Sequence, residues 1–175
     1  MLIKALTVGV AALVLALPAA AQQRGTMELG VFVTGASFDR DLTLTTGYGG
    51  GGRIGMYLDP MYSFEFEDAE LATGRTNGLR DVRAGLLSGR LVVTPFMAGK
   101  FSFLVGAGAG ISTETNFLHS YGVDVLVGVK YPITPNTAFR VDAVNDWLAN
   151  NDYKKYQSVR MGFLWYRHPG STATP

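Results

Sequence analysis

A strict alternation of apolar and polar residues near the end of the chain constrains its fold more than any other feature. In residues 156–166 every second residue from Val159 to Trp165 is apolar, whereas Arg160 lies on the opposite side, because strand side chains alternate with period two. The pattern recurs along the chain, and its polar side repeatedly places charges beside glycines. A soluble sheet buries its apolar face, whereas a barrel in lipid exposes it.

The N-terminus predicts export. Lys4 forms a basic n-region, residues 5–17 are apolar, and Pro18 precedes three alanines that end at Ala21, as in a cleaved signal peptide. The apolar run is shorter than the ~20 residues of a spanning helix, which argues against an uncleaved anchor. We therefore predict a signal peptide over residues 1–21, cleaved after Ala21.

The mature chain is electrically balanced. Loss of Lys4 from the 15 basic residues leaves 14, equal to the 14 acidic residues, so no basic field indicates nucleic acid as a partner. The chain contains no cysteine, and a closed barrel is one way to stabilise an exported domain without disulfides. We predict one barrel domain over residues 22–167 and a disordered tail over 168–175.

Alternating segments predict eight strands. They cover residues 26–36, 48–58, 61–71, 82–94, 101–111, 121–131, 137–145 and 156–166. Three connections are short and rich in turn formers, namely 59–60, 95–100 and 132–136, and the other four are longer and more polar. Short turns at one end and long loops at the other are typical of an up-and-down barrel in an outer membrane.

The faces of these strands differ in chemistry. The apolar face collects Met27, Leu29, Val31, Val33, Ile54, Met56, Leu58, Tyr62, Phe64, Phe66, Leu87, Leu91, Val93, Phe101, Phe103, Val105, Tyr121, Val123, Val125, Val127, Val129, Tyr131, Phe139 and Val141. The opposite face carries five acids and five bases: Glu28, Arg53, Glu65, Glu67, Arg90, Asp124, Lys130, Arg140, Asp142 and Arg160. These ten residues are predicted to form a structural network of ion pairs inside the barrel.

Small and aromatic residues support this orientation. Glycines stand between the charges, as a narrow interior requires; they are Gly30, Gly55, Gly106, Gly108, Gly110, Gly128 and Gly162. Six aromatic residues fall near strand ends, where an interfacial girdle is expected; they are Tyr48, Tyr62, Tyr121, Tyr131, Trp165 and Tyr166. The prediction is an all-β, transmembrane, eight-stranded antiparallel barrel, with a secreted soluble barrel as the alternative.

Several stretches also resemble a known group. ELGVF at 28–32, GGGGRIG at 49–55, KYPITPN at 130–136 and AFRVD at 138–142 are similar to the small outer-membrane β-barrel superfamily. It includes the transmembrane domain of OmpA and porin-like "outer membrane protein beta-barrel" chains. The resemblance covers the mature chain and implies an eight-stranded barrel with an ion-paired lumen and a structural, adhesive or small-solute role.

Two further points follow from this resemblance. Arg140 and Asp142 match the lumen-facing Arg-x-Asp that such chains often carry on the penultimate strand. OmpA-like relatives often continue into a peptidoglycan-binding domain, whereas this sequence ends on the tail HPGSTATP at 168–175. We therefore expect no cell-wall anchor.

No motif predicts a catalytic, cofactor or metal site. Residues 47–52 match G-x-G-x-x-G, but strand rather than helix is predicted after them, which argues against a dinucleotide site. His119-Ser120, with Glu114 nearby, raises the alternative of a lipid A-modifying enzyme; adjacent strand residues point apart, so a nucleophile and its base do not converge there. The acidic cluster within 65–70 suggests calcium, although Glu65 and Glu67 share the charged face.

The expected function is therefore non-enzymatic, with a structural or interaction role in a Gram-negative-type cell envelope. A narrow channel for small solutes or ions is the main alternative. The expected partners are outer-membrane lipid, the barrel-assembly machinery and periplasmic chaperones, and the barrel is expected to be a monomer. An even number of strands places both ends of the chain in the periplasm.

Overall fold

A computed structural model describes residues 23–38, 44–74, 82–114, 119–149 and 154–169. Eight strands make up nearly all of it: β1 (Met27–Phe38), β2 (Gly47–Tyr57), β3 (Tyr62–Thr73), β4 (Val82–Ala98), β5 (Phe101–Glu114), β6 (His119–Thr134), β7 (Thr137–Leu148) and β8 (Lys154–Arg167). The predicted signal peptide and the tail beyond residue 169 lie outside the described residues. Within the described ranges, no helix has the length and apolar character needed to cross a membrane.

The strands form one closed antiparallel barrel. Each strand pairs with its neighbours in sequence, and β1 pairs with β8 from Met27↔Arg167 to Phe38↔Tyr156. Because the described sheet is closed, it has no edge strand with unpaired backbone groups. A bilayer requires this, since its hydrocarbon core offers no water to satisfy such groups. The predicted eight-stranded up-and-down barrel is therefore confirmed.

The barrel has a short-turn end and a long-loop end. Short turns join β2 to β3, β4 to β5 and β6 to β7. In the first of them, Asp59 Oδ1 accepts backbone N–H bonds from Met61 at 2.6 Å and Tyr62 at 2.9 Å, so the carboxylate holds the turn closed. The start of β1 and the end of β8 lie at this same end, where Tyr166 N donates to Asn136 O at 2.9 Å.

Two prolines predicted to belong to turns lie inside strands instead. Pro95 falls within β4 and Pro132 within β6. The pairing register shifts between Val93 and Phe96, and again between Pro132 and Thr134. Because proline has no N–H to donate to the ladder, it is tolerated at such irregularities, and the strands continue past the residues that suggested their ends.

Apolar side chains cover the outside of the barrel. Every residue assigned to the apolar face is partly or fully exposed, and Leu29, Phe66 and Val127 are more than half exposed. Neighbouring rings contact one another across strands, as in Phe96 with Phe103 and Phe139 with Phe163. This arrangement is the inverse of a soluble barrel, because the ten charged residues assigned to the opposite face lie inside.

One member of the predicted aromatic girdle was assigned to the wrong face. Tyr166 is 8 % exposed and lies in the lumen with Tyr57, Ala138 and Leu164. The reason is parity, since Tyr166 is an even number of residues from Arg160 and therefore shares its face. The other five aromatic residues, Tyr48, Tyr62, Tyr121, Tyr131 and Trp165, are exposed on the outer surface.

Candidate functional site

All ten charged residues predicted to face the lumen lie inside the barrel. Each is at most 4 % exposed, because the alternation within each strand turns its charged positions inward while the apolar positions turn outward. On β3, for example, Glu65 and Glu67 point inward and the intervening Phe66 points outward. The lumen is thus a buried, densely charged interior.

Arg140 forms the centre of one group of ion pairs. Its Nη1 and Nη2 donate to the two carboxylate oxygens of Glu65 at 2.7 and 3.1 Å. Its Nε donates to Asp142 Oδ1 at 2.8 Å, and Nη1 lies 3.4 Å from Glu28 Oε1. A forked, two-bond contact of this kind fixes orientation as well as charge, which lysine cannot reproduce.

Glu67 forms the centre of a second group. Arg53 Nη2 contacts its Oε2 at 2.9 Å, Arg90 Nη1 contacts its Oε1 at 3.0 Å, and Arg160 also pairs with Oε1. Arg53 Nη1 in addition lies 2.8 Å from Asp142 Oδ2. Because Asp142 also binds Arg140, the two groups form one connected network.

The short-turn end of the network is closed by tyrosines. Tyr57 donates its hydroxyl hydrogen to Glu28 Oε2 at 3.2 Å, and Lys130 Nζ contacts the Tyr57 oxygen and lies 3.5 Å from Glu28. The Lys130 ammonium also lies over the rings of Tyr57 and Tyr166, 5.1 and 5.5 Å from their centroids. These contacts combine a cation–π interaction with ion pairing and fill this end of the lumen.

A sixth lumen carboxylate, Asp146, was missed from sequence. It is 7 % exposed and stands directly opposite Asp124 in the β6–β7 pairing. The predicted strand ended at residue 145 and left Asp146 in a loop, whereas β7 continues to Leu148. Extending the even-numbered positions Arg140, Asp142 and Val144 by one step would have found it.

The extra acid leaves the network with six carboxylates and five cations among the described residues. Asp124 is held by Arg90 Nε through Oδ1, but its Oδ2 and Asp146 Oδ2 are buried without a hydrogen-bond partner. Like charges directly opposite each other in a sheet destabilise it. Asp146 is therefore the member of the network whose charge is least compensated.

We expect Asp146→Asn to leave the free energy of unfolding unchanged or to raise it, by up to about 1 kcal/mol, because it removes a like-charge pair. Asp142→Asn is the matched control and is expected to lower it by about 3–5 kcal/mol, because Arg53 and Arg140 would lose a buried partner. Urea unfolding in lipid vesicles measures both. A loss in Asp146→Asn as large as that in Asp142→Asn would contradict this assignment.

Glycines provide the space that the charged side chains occupy. A Cβ added to Gly128 would overlap the Asp142 carboxylate, and one added to Gly108 would overlap the side chain of Arg90. Both glycines lie on lumen-facing positions of their strands, next to these charges in the pairing register. Small residues beside large ones allow a narrow interior to be filled without voids.

Apolar side chains close the lumen beyond the network. At the long-loop end Phe32, Leu71, Leu86 and Tyr156 belong to one buried cluster. A cavity beside this cluster, lined by Ser88, Arg90, Asp146, Tyr156 and Arg160 among others, has a volume of about 10 Å³, which is the space of one water molecule. Side chains thus fill this part of the interior.

Where the structure describes their side chains, the other candidate motifs do not converge on a site. Residues 47–52 begin strand β2 rather than a phosphate-binding turn before a helix. Asp68 and Glu70 are exposed on the outer face of β3, so the acidic cluster is divided between the two faces. Among the described residues, no group of three or more histidine, cysteine or acidic side chains is placed to hold a metal. The side chains of Glu114 and His119 lie outside the described part.

Comparison with known proteins identifies the family. The family model described as "Outer membrane protein beta-barrel domain" matches residues 7–165, whereas no curated relative matches the sequence. Among solved structures, OprG from Pseudomonas aeruginosa is similar at 13% identity with a TM-score of 0.62, covering 86% of this chain and 99% of its own.

Two further barrels share the fold. Neisserial surface protein A has 12% identity and a TM-score of 0.67, with 81% of this chain and 99% of its own covered. Ail, the attachment invasion locus protein of Yersinia pestis, has 14% identity and a TM-score of 0.53, with 83% and 100% covered. At these identities the likeness concerns the fold alone. On the family match over most of its length, the chain belongs to the outer membrane protein beta-barrel family.

Proposed function

We propose that the chain is a non-enzymatic barrel of the outer membrane with a structural or interaction role, whose lumen is closed by its own side chains. The observation that carries the proposal is the connected network around Arg140 and Glu67, which crosses the lumen and whose ten ion-paired members are each at most 4 % exposed. The apolar outer surface supports contact with lipid, and the family supports the outer membrane as its location.

The charge arrangement favours a closed barrel over a channel. An eight-stranded barrel has an interior just wide enough to be filled by side chains. Conduction would require Arg140 to separate from its carboxylate partners and Glu67 to separate from its arginine partners. Breaking a buried pair costs about 3–5 kcal/mol when the partner remains buried. We infer that the resting barrel does not conduct, that it functions as a monomer and that its loops meet the environment outside the cell.

The orientation follows from the same proposal. The short turns, the first residues of β1 and the last residues of β8 lie at one end of the barrel. In outer-membrane barrels the short turns face the periplasm. We infer that this end is periplasmic. Periplasmic chaperones and the barrel-assembly machinery are then the partners that the chain needs to reach the membrane.

Fractionation and conductance together test the proposed function. We expect the protein to be extracted from outer membranes only by detergent and to migrate differently on gels before and after heating. In planar bilayers it should give no discrete current steps, whereas a larger porin in the same bilayers should give them. Regular current steps from the pure protein would contradict the closed lumen and favour a narrow channel.

A further inference from the structure

Asp124 and Asp146 face each other inside the barrel, near the long-loop end of the lumen. They are direct partners in the β6–β7 pairing, which places their Cβ atoms about 4.5–5.5 Å apart on one face of the sheet. Both residues are buried, and in each of them the Oδ2 atom has no hydrogen-bond partner. We refer to these two residues as the aspartate pair.

The nearby cations are bound to other carboxylate oxygens. Arg90 contacts Asp124 Oδ1 through Nε and Glu67 through Nη1, and Arg160 also pairs with Glu67. Arg90 Nη2 and Arg160 Nε have no hydrogen-bond partner, so neither of these groups donates to Asp146 Oδ2. An ionised oxygen buried beside Asp124 without a donor is costly, because nothing compensates its lost hydration and the two negative charges repel each other.

A tyrosine connects the aspartate pair to the closed end of the lumen. Tyr156 is the partner of Asp146 in the β7–β8 pairing, and its hydroxyl group donates a hydrogen bond to the Asp146 carboxylate. Tyr156 also belongs, with Phe32, Leu71 and Leu86, to the buried cluster at the long-loop end. Asp146 is therefore hydrogen-bonded to a member of the cluster that closes the lumen there.

The space around the aspartate pair limits what can neutralise it. The cavity beside Asp146 has the volume of one water molecule, about 10 Å³, and its lining includes Ser88 and two guanidinium groups. Calcium takes about six to eight oxygen ligands and magnesium a regular octahedron of them, and a space of this size between two cationic groups does not provide them. The charged or titratable groups around Asp146 are Asp124 on β6, Arg90 on β4, and Arg160 and Tyr156 on β8. A proton needs no additional space.

We propose that Asp124 and Asp146 share one proton in the folded barrel at neutral pH. Two ionised carboxylates can only accept hydrogen bonds, whereas a protonated carboxyl group donates one. A proton between the two Oδ2 atoms gives both of them a partner and removes one of two like charges. It also balances the lumen, in which the described residues place six carboxylates against five cations. Because Tyr156 is bonded to Asp146, release of the proton at higher pH weakens the closure of the long-loop end.

Urea unfolding in lipid vesicles at a series of pH values tests the number of bound protons. An aspartate in the unfolded chain loses its proton at about pH 4, so above that pH the folded barrel holds one proton more than the unfolded chain. We expect the unfolding equilibrium constant of the wild type to rise by up to about tenfold per pH unit until the pair releases its proton. Asp146→Asn lacks the shared proton, so it should match the wild type at mildly acidic pH and become the more stable protein as the pH rises. Every other titrating group is common to both proteins, and the difference between them therefore reports the pair.

Infrared spectroscopy of the folded barrel in vesicles detects the proton itself, because a protonated carboxyl group and a carboxylate absorb at different frequencies. At neutral pH we expect the wild type to show the band of a buried carboxyl group, and we expect Asp146→Asn and Asp124→Asn to lose it. Asp59→Asn is the matched control, since Asp59 lies in the first short turn and accepts backbone N–H bonds there. This control should keep the band.

Gel mobility before heating shows that each variant is folded. Absence of the band from the wild type, or an equal pH dependence in the wild type and Asp146→Asn, would overturn the proposal and indicate an ionised Asp146 solvated by one water molecule. A band that persists in Asp124→Asn would overturn the sharing, because Asp146 would then hold the proton alone. A loss of stability when choline replaces sodium or potassium at equal ionic strength would also overturn it, because a metal ion would then occupy the site.

Discussion

Arg140→Ala is expected to lower the free energy of unfolding by about 3–5 kcal/mol, the cost of leaving buried partners unpaired. Arg140 is 2 % exposed and is shared by Glu65, Asp142 and Glu28. Its removal leaves the carboxylates near it with fewer cations, in an interior with little room for water. Urea unfolding in lipid vesicles provides the measurement, and Trp147 and Trp165, the two tryptophans of the chain, serve as fluorescence probes.

Double-mutant cycles then separate direct partners from distant ones. Arg140→Ala combined with Glu65→Ala should cost less than the sum of the single changes, with a coupling of about 0.5–3 kcal/mol, because the two side chains share two hydrogen bonds. The same is expected for Asp142→Ala. Asp124, which binds Arg90 instead, is the matched control and should be additive with Arg140→Ala.

The outcome distinguishes a network from separately hydrated charges. Strict additivity for both Glu65 and Asp142 would contradict the network and favour a wet lumen able to conduct. If Arg140→Ala does not fold, Arg140→Lys keeps the charge but removes the forked contact, and its coupling to Glu65 gives the same comparison. A smaller but measurable coupling in Arg140→Lys supports the paired geometry.

The faces of the strands could be predicted from sequence because parity is a local property. Once Arg160 is assigned to the lumen, every second residue of β8 follows it, and the same holds for Glu65 on β3. The two errors concern residues near the ends of strands, to which this alternation was not extended. Tyr166 shares the parity of Arg160, and Asp146 shares that of Arg140, but the first was assigned from its chemistry and the second was cut off by a strand boundary.

The identity of each ion-pair partner could not be predicted in the same way. Glu65 and Arg140 lie on β3 and β7, on different sides of the barrel, and meet across its interior. That contact depends on the barrel diameter and on the stagger of the strands around the closed sheet, which no single segment determines. The sequence therefore predicted which residues join the network but not which of them pair with Arg140.

Proline showed a similar limit of local rules. Pro95 and Pro132 indicate turns when they are considered with their immediate neighbours, yet β4 and β6 pass through them at register shifts. Pairing with both neighbouring strands stabilises these segments beyond the point at which local preference would end them. The short turns are consequently tighter than predicted, and Gly99 and Lys100 alone connect β4 to β5.

A lysine on the outer face is expected to be costly only at the depth of the membrane core. Val127 is 56% exposed and lies halfway along the outward face of β6 between Tyr121 and Ile133. Val127→Lys is expected to lower the free energy of unfolding by about 2–4 kcal/mol, the cost measured for lysine near the bilayer midplane. Unfolding by urea in vesicles measures the change.

Ile133→Lys is the control matched in chemistry but not in depth. Ile133 is 52% exposed at the short-turn end of the same strand, so the expected cost falls to about 0–1 kcal/mol, as found near the interface. Repeating both measurements in a thinner bilayer should reduce the penalty at Val127 more than at Ile133, because the lysine ammonium then reaches head groups more easily. Equal costs at the two positions, with no dependence on bilayer thickness, would contradict a lipid-facing outer surface, since water solvates a lysine equally well at either site.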